Sequence, residues 1–280
     1  MQIIDPHLHL FNLRQGDYHW LQKTRAPFWP DKAIINKDFR ENDLQLSDGL
    51  KLAGFIHIEA GFDNLKPWRE LGWLEQHCHL PFKSIAFVAL DDGQFSDKLM
   101  RLNDHRSMIG IRHILEDDAK KVLKQPTALA HLQQLAEHQL LFECQANLAD
   151  HSIVEALLQL LIKTPDLQMI INHCGMPSSN HMSNSLIDNL TLLAQFTGVS
   201  IKCSGFEMRD RHWQWSELED TLAILIDIFT IERVMLASNF PLTLFSRSYQ
   251  ALWQGYASLS YPSQQLDALC YDNAKRIYKL

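Results

Sequence analysis

The sequence predicts a single α/β chain folded as one (β/α)8 TIM barrel, on three observations. Eight short apolar or β-branched runs alternate with helix-length amphipathic segments along the whole chain. Its 280 residues suit one barrel, residues 1–280 forming one domain. No Gly-x-Gly-x-x-Gly follows a strand and no phosphate loop occurs, which disfavours a doubly wound nucleotide-binding sheet.

The strands are expected at residues 2–9, 53–59, 84–90, 108–114, 140–145, 168–173, 199–204 and 233–239. Most are continuous apolar runs, the pattern of parallel strands buried by helices outside and packed layers inside. Residues 12–48, rich in Trp, Pro and charge, show no period and read as an excursion over the mouth after the first strand. Pro126 suits the first turn of a helix carried by Leu129, Leu132 and Leu135. Thr164-Pro165-Asp166 and Thr197-Gly198 punctuate helix-to-strand turns. Trp215, Leu218, Leu222, Leu225 and Phe229 trace one helical stripe, and a last helix covers residues 263–278.

Composition excludes several function classes. A net charge of −7, from 33 acids and 26 bases, gives no field for nucleic acid or an anionic membrane. No apolar run is long enough to span a bilayer. Five scattered cysteines without a Cys-x-x-Cys argue against both a disulfide framework and a zinc ribbon, and fit a reduced, cytoplasmic setting. The expected partner is a small-molecule substrate, while the oligomeric state stays open.

The most informative local feature is Asp5-Pro6-His7-Leu8-His9 at the end of the first strand. Alternation puts Asp5, His7 and His9 on one face, with two imidazoles at the outgoing tip. His77-Cys78-His79 has the same spacing but closes a helix-like stretch before Pro81. The other strand tips carry His57 and Glu59, Arg112 and His113, Glu143 and Gln145, His173, Lys202 and Ser204, and Asn239. Barrel sites form at such tips, and an unpartnered buried polar group costs about 1–3 kcal/mol, so this convergence needs a reason. Taken singly, each residue has a structural explanation too. A histidine can be hydrogen-bonded, Glu59 and Glu143 can cap helices, and Lys202 can form a salt bridge. Arg112 needs a carboxylate of protein or substrate. Cys174 and Cys203 are offset by one residue and read as packing. Trp20, Trp29, Arg209, Arg211, His212 and Trp213 are further candidates for lining the mouth.

Five segments in this order resemble the amidohydrolase superfamily: residues 5–9, Gly110-Ile111-Arg112-His113, Asn172 to Pro177, Lys202-Cys203-Ser204-Gly205, and Met235 to Pro241. The closest likeness is to the amidohydrolase 2 group, which includes sugar-lactone and pyrone-dicarboxylate lactonases. Asn273 to Tyr278 is similar to that group's closing helix. The resemblance implies a distorted barrel that hydrolyses esters, lactones or amides, with one divalent metal (zinc or manganese) or with none. It places His7, His9 and His173 as metal ligands or carbonyl-polarising groups, and Arg112 as the holder of a substrate carboxylate. His57, Glu59 and Gln145 join the substrate-binding set. The fourth and fifth strands lack the lysine that would bridge two metals.

One position departs from the family. Strand eight ends in Asn239, where the family carries a water-activating aspartate. General-base assistance is worth about 10²–10⁴-fold, and an amide does not supply it. His173, Glu59 and His57 are the expected substitutes, with Asn239 orienting water or carbonyl, and metal affinity is weakened. The leading expectation is a hydrolase of a small carboxylated lactone or ester. A decarboxylase or hydratase on the same barrel, or a catalytically inactive small-molecule binder, are the alternatives.

Overall fold

The computed structural model describes residues 1–179 and 181–280. Eight parallel strands run in sequence order: β1 (Gln2–Leu8), β2 (Lys51–Ile58), β3 (Phe82–Phe87), β4 (Met108–Ile114), β5 (Leu141–Gln145), β6 (Met169–Ile171), β7 (Val199–Cys203) and β8 (Val234–Leu236). The barrel closes at its mouth. Leu8 and Phe240 form a parallel bridge, His9 N–H donates to the Phe240 carbonyl at 2.7 Å, and Asn239 N–H donates to the His7 carbonyl at 2.9 Å.

The helical stripes behave as their periods require. Pro126–Glu137 buries Ala128, Leu132 and Leu135 and leaves Leu129 half-buried, and Trp215–Phe229 buries Leu218, Leu222, Leu225 and Phe229 and leaves Trp215 half-buried. The last helical segment runs from Ser263 to Tyr278 with one wider turn at Ala268–Asp272. It brings Ala274 and Tyr278 into the core inside the barrel, against Ile4, Ile56, Ile85, Leu141 and Ile170.

Three strands, β3, β6 and β8, end two or three residues sooner than the apolar runs suggest. β6 stops at Ile171 and β8 at Leu236, because His173 (φ 50°) and Asn239 (φ 54°) take the left-handed backbone region, which breaks a ladder. Cys174, Gly175 and Met176 share that region, so the chain coils sharply just past β6. Non-glycine residues adopt it at a cost of order 1–3 kcal/mol, and they cluster at functional sites.

The excursion does cover the mouth. Phe11 and Phe39 pair at its base, with two short 3₁₀ turns (His19–Leu21 and Lys32–Ile34) between them and a third (Glu41–Asp43) between Phe39 and β2. The buried Lys32 ammonium donates to the carbonyls of Trp20 (2.6 Å), Gln22 (3.1 Å) and Arg25 (2.9 Å), replacing the hydrogen bonds that a loop without ladder structure lacks. Arg211 ties the excursion to the β7 loop through Asp31 at 2.8 Å.

Candidate active site

A cavity of about 580 Å³ opens at the mouth, lined by polar groups from β1, β2, β4 and the β6 to β8 loops and roofed by Trp20 and Trp29. His9 and His173 lie on its wall, and His7 sits behind them, fully buried. The His7 ring centroid is 5.1 Å from that of His9 and 4.5 Å from that of His173. Imidazoles 164 or more positions apart in sequence therefore do meet. Burial, reinforced by neighbouring cationic groups, holds all three well below the usual histidine range, so they are neutral.

Their hydrogen bonds fix what each ring can do. His9 Nδ1–H donates to the Ile58 carbonyl at 2.8 Å, leaving Nε2 as a lone pair. His173 Nδ1 pairs with the Ser204 hydroxyl at 3.0 Å. Lys202 Nζ lies 3.3 Å from His7 Nδ1 and donates to it, so the His7 proton resides on Nε2, which has no partner. Asp5 does not join this face. A register shift interrupts alternation between Asp5 and Leu8, and Asp5 Oδ1 instead accepts from the N–H groups of His7 (3.2 Å) and Ser238 (3.1 Å). Burial raises its carboxyl to about 6.

The other tip residues divide into three sets. Arg112 is closed on protein groups: Nε donates to Glu59 Oε1 (2.8 Å), one terminal nitrogen to the Glu59 carbonyl (2.8 Å), the other to Gln145 Oε1 (3.1 Å). Arg112, Glu59 and Gln145 all line the cavity, but the guanidinium expected to clamp a substrate anion is already matched by a carboxylate. Beneath the histidines, Lys202 donates to both oxygens of Glu143 (2.7 and 2.5 Å), and Tyr278 OH donates to Glu143 Oε1 at 2.5 Å. Burial lowers the Lys202 ammonium to about 8. His57 and His113 lie away from the cavity lining. His57 bonds Glu70 at 3.0 Å and accepts from Leu10 N–H, while His113 accepts from Leu90 N–H. Of the loop candidates, Trp20, Trp29 and Arg209 line the cavity. Arg211, His212 and Trp213 do not, Arg211 being held by Asp31 and stacked on Phe245. Cys174 and Cys203 are buried beside the site, as packing requires.

Asn239 lines the cavity, and its Nδ2 donates to Glu207 Oε1 at 2.5 Å. Glu207, on the short helix Phe206–Arg209, is a buried carboxylate that sequence reasoning overlooked. Burial raises it to about 7. It stands four residues past Cys203, the end of β7, and its only sequence signal was an acid two residues after Ser204-Gly205.

The donor set does not fit a three-nitrogen metal site as hydrogen-bonded here. Two rings offer free nitrogens, the third faces a lysine ammonium, and Asn239 contributes no charge. Among the described residues no group of three or more His, Cys, Asp or Glu side chains has the arrangement to hold a metal ion. No helix among them is long and apolar enough to cross a membrane.

Residues 4–280 match the family model described as amidohydrolase. An uncharacterized protein of Sinorhizobium fredii, y4mH, is 28% identical over 99% of this chain and 98% of its own length. An amidohydrolase of Burkholderia multivorans crystallised with bound zinc superposes with a TM-score of 0.81 at 19% identity, covering 100% of both chains. A probable 2-pyrone-4,6-dicarboxylic acid hydrolase of Acinetobacter baumannii with bound citric acid gives 0.74 at 16% identity, again over 100% of both. At such identities the two structures share the barrel fold.

Proposed function

This chain belongs to the amidohydrolase family, and from that premise we propose that its barrel mouth hydrolyses a small lactone or ester carrying a carboxylate. One observation supports this reading above others: two neutral imidazoles, each with an Nε2 free of protein partners, face the same cavity as an amide held by a buried carboxylate.

His9 presents a lone pair at Nε2, because its Nδ1–H is committed to Ile58. The proposed reaction takes the Ser204 hydroxyl as donor to His173 Nδ1, which puts the His173 proton on Nε2. In the proposed reaction His173 donates to the acyl oxygen and stabilises the negative charge that develops there, a contribution of order 3 kcal/mol for one well-placed donor. Water held by the Asn239 carbonyl oxygen attacks the acyl carbon and gives its proton to His9 Nε2. Collapse of the tetrahedral species breaks the acyl C–O bond, and the leaving alkoxide takes that proton back. Glu207 accepts from Asn239 Nδ2 and so turns Oδ1 of the amide toward the cavity. Of the expected bases, Glu59 is paired with Arg112 and His57 lies elsewhere, which leaves the two mouth imidazoles.

The test is a panel of lactones and carboxylic esters followed by acid release, with and without added zinc or manganese. Ring opening or ester cleavage is expected. Carbon dioxide release without acid production would assign a decarboxylase instead, and binding without turnover would assign a retired binder.

A further inference from the structure

Three cationic side chains surround the cavity floor, and two of them are matched by acids. Arg112 has all three nitrogens engaged by Glu59 and Gln145. Lys202 lies beneath the histidines with both oxygens of Glu143. Arg209 differs. Its guanidinium lines the cavity 4.5 Å from the Phe206 ring centroid, and its Nε is buried with no hydrogen-bond partner. Among the described residues no carboxylate lies within ion-pair distance of it. The acids around it are otherwise occupied or remote: Glu207 holds Asn239, Glu59 holds Arg112, and Glu116 is exposed at the rim. Its terminal N–H groups have no partner among the described residues either, and these, unlike the buried Nε, are the donors that an anionic ligand group in this largely apolar cavity can reach.

We infer that Arg209 is the carboxylate-holding residue of this cavity and that its ligand is a monocarboxylate with an otherwise apolar ring or chain. Among the described residues lining the cavity a second carboxylate would find no free arginine or lysine, since Arg112 would have to release Glu59 first. The rest of the wall, including Trp20, Trp29, Met176 and Leu242, suits apolar surface. The inference rests on the hydrolase reading for the bond that reacts, but the charge matching does not depend on it.

Calorimetry with inert probes separates the two. Benzoate, benzyl alcohol and isophthalate present one, no and two carboxylates on the same ring. The full chain is expected to bind benzoate at least about tenfold more tightly than benzyl alcohol, and isophthalate no more tightly than benzoate. Arg209→Gln should erase the preference for benzoate, and Arg209→Lys should keep part of it, with folding verified by circular dichroism. Equal binding of benzoate and benzyl alcohol, an undiminished preference in Arg209→Gln, tightest binding of isophthalate, or no benzoate binding at millimolar concentration would each overturn the assignment. If Arg209→Gln fails to fold, the wild-type probe series and Arg209→Lys still decide it. A benzoate preference with no hydrolysis across the lactone and ester panel would sink the hydrolase reading alone.

Discussion

Gly205 is packed face-on against His173: a Cβ at position 205 would lie 2.9 Å from the ring's Cγ and Nδ1. Gly205 also has φ +80°, a conformation L side chains rarely adopt. The β7 loop therefore sets the position of a ring carried by β6, and the absence of a side chain at 205 is part of the site's construction. Gly205→Ala should displace His173 and break its 3.0 Å contact with Ser204. Strain of this kind costs about 1–3 kcal/mol. Turnover should fall at least tenfold in protein that still melts cooperatively, checked by kinetics beside thermal denaturation. Unchanged kcat would show that His173 has no part in the reaction.

The Lys202 contact to His7 makes a prediction about zinc. Protein purified without chelator is expected to hold well under one equivalent, because the ammonium fixes the His7 proton on the nitrogen a metal would need. Removing the buried pair together, as Lys202→Met/Glu143→Gln, avoids leaving one charge unmatched. That variant should bind zinc at least about tenfold more tightly by titration calorimetry, an effect in line with the weight of groups behind the ligands. A full equivalent of zinc in the wild type would refute this account.

Glu207 gives a pH dependence with a definite sign. Its carboxyl rises from 4.5 to about 7 in the folded state, so the folded chain binds the proton more strongly than the unfolded one. Stability from this group is present below about pH 4.5 and is lost as pH rises to 7, a difference of about 3 kcal/mol. Glu207→Gln keeps an acceptor for Asn239 and removes the titration. Its urea unfolding free energy should match wild type near pH 4.5 and exceed it above pH 7. Parallel curves would mean that burial does not perturb this carboxyl.

Freeing Arg112 should widen what the cavity accepts. The Glu59–Arg112 pair is almost fully buried, so Glu59→Gln leaves an uncompensated guanidinium and should destabilise by about 3–5 kcal/mol. In the same variant isophthalate should gain affinity relative to benzoate, because a second cation becomes available. Competition binding reads that ratio directly.

Much of the barrel was legible in the sequence because its signals are local. Eight apolar runs, Pro126 and the stripe from Leu218 to Phe229 report on neighbours a few residues away. The meeting of His7, His9 and His173 followed from their places at strand tips. What the sequence hid depends on relative height and rotation between strands. That Arg112 would reach Glu59 two strands away, and that Lys202 would stand under His7 rather than beside a substrate, are matters of register. His57 carried the same tip signal as His9 yet points to Glu70, because the chain after β2 brings that carboxylate behind it. Glu207 escaped notice because a four-residue helix has no periodicity to mark it.

The hydroxyl of Tyr278 completes a relay of contacts that runs through Glu143 and Lys202 to His7. A ribosome delivers the carboxylate 135 positions before the phenol that satisfies it. Until residue 278 has emerged and its helix has docked under the barrel, this buried ion pair lacks one of its donors, so the support beneath His7 is completed only late in biosynthesis, from the opposite end of the cylinder.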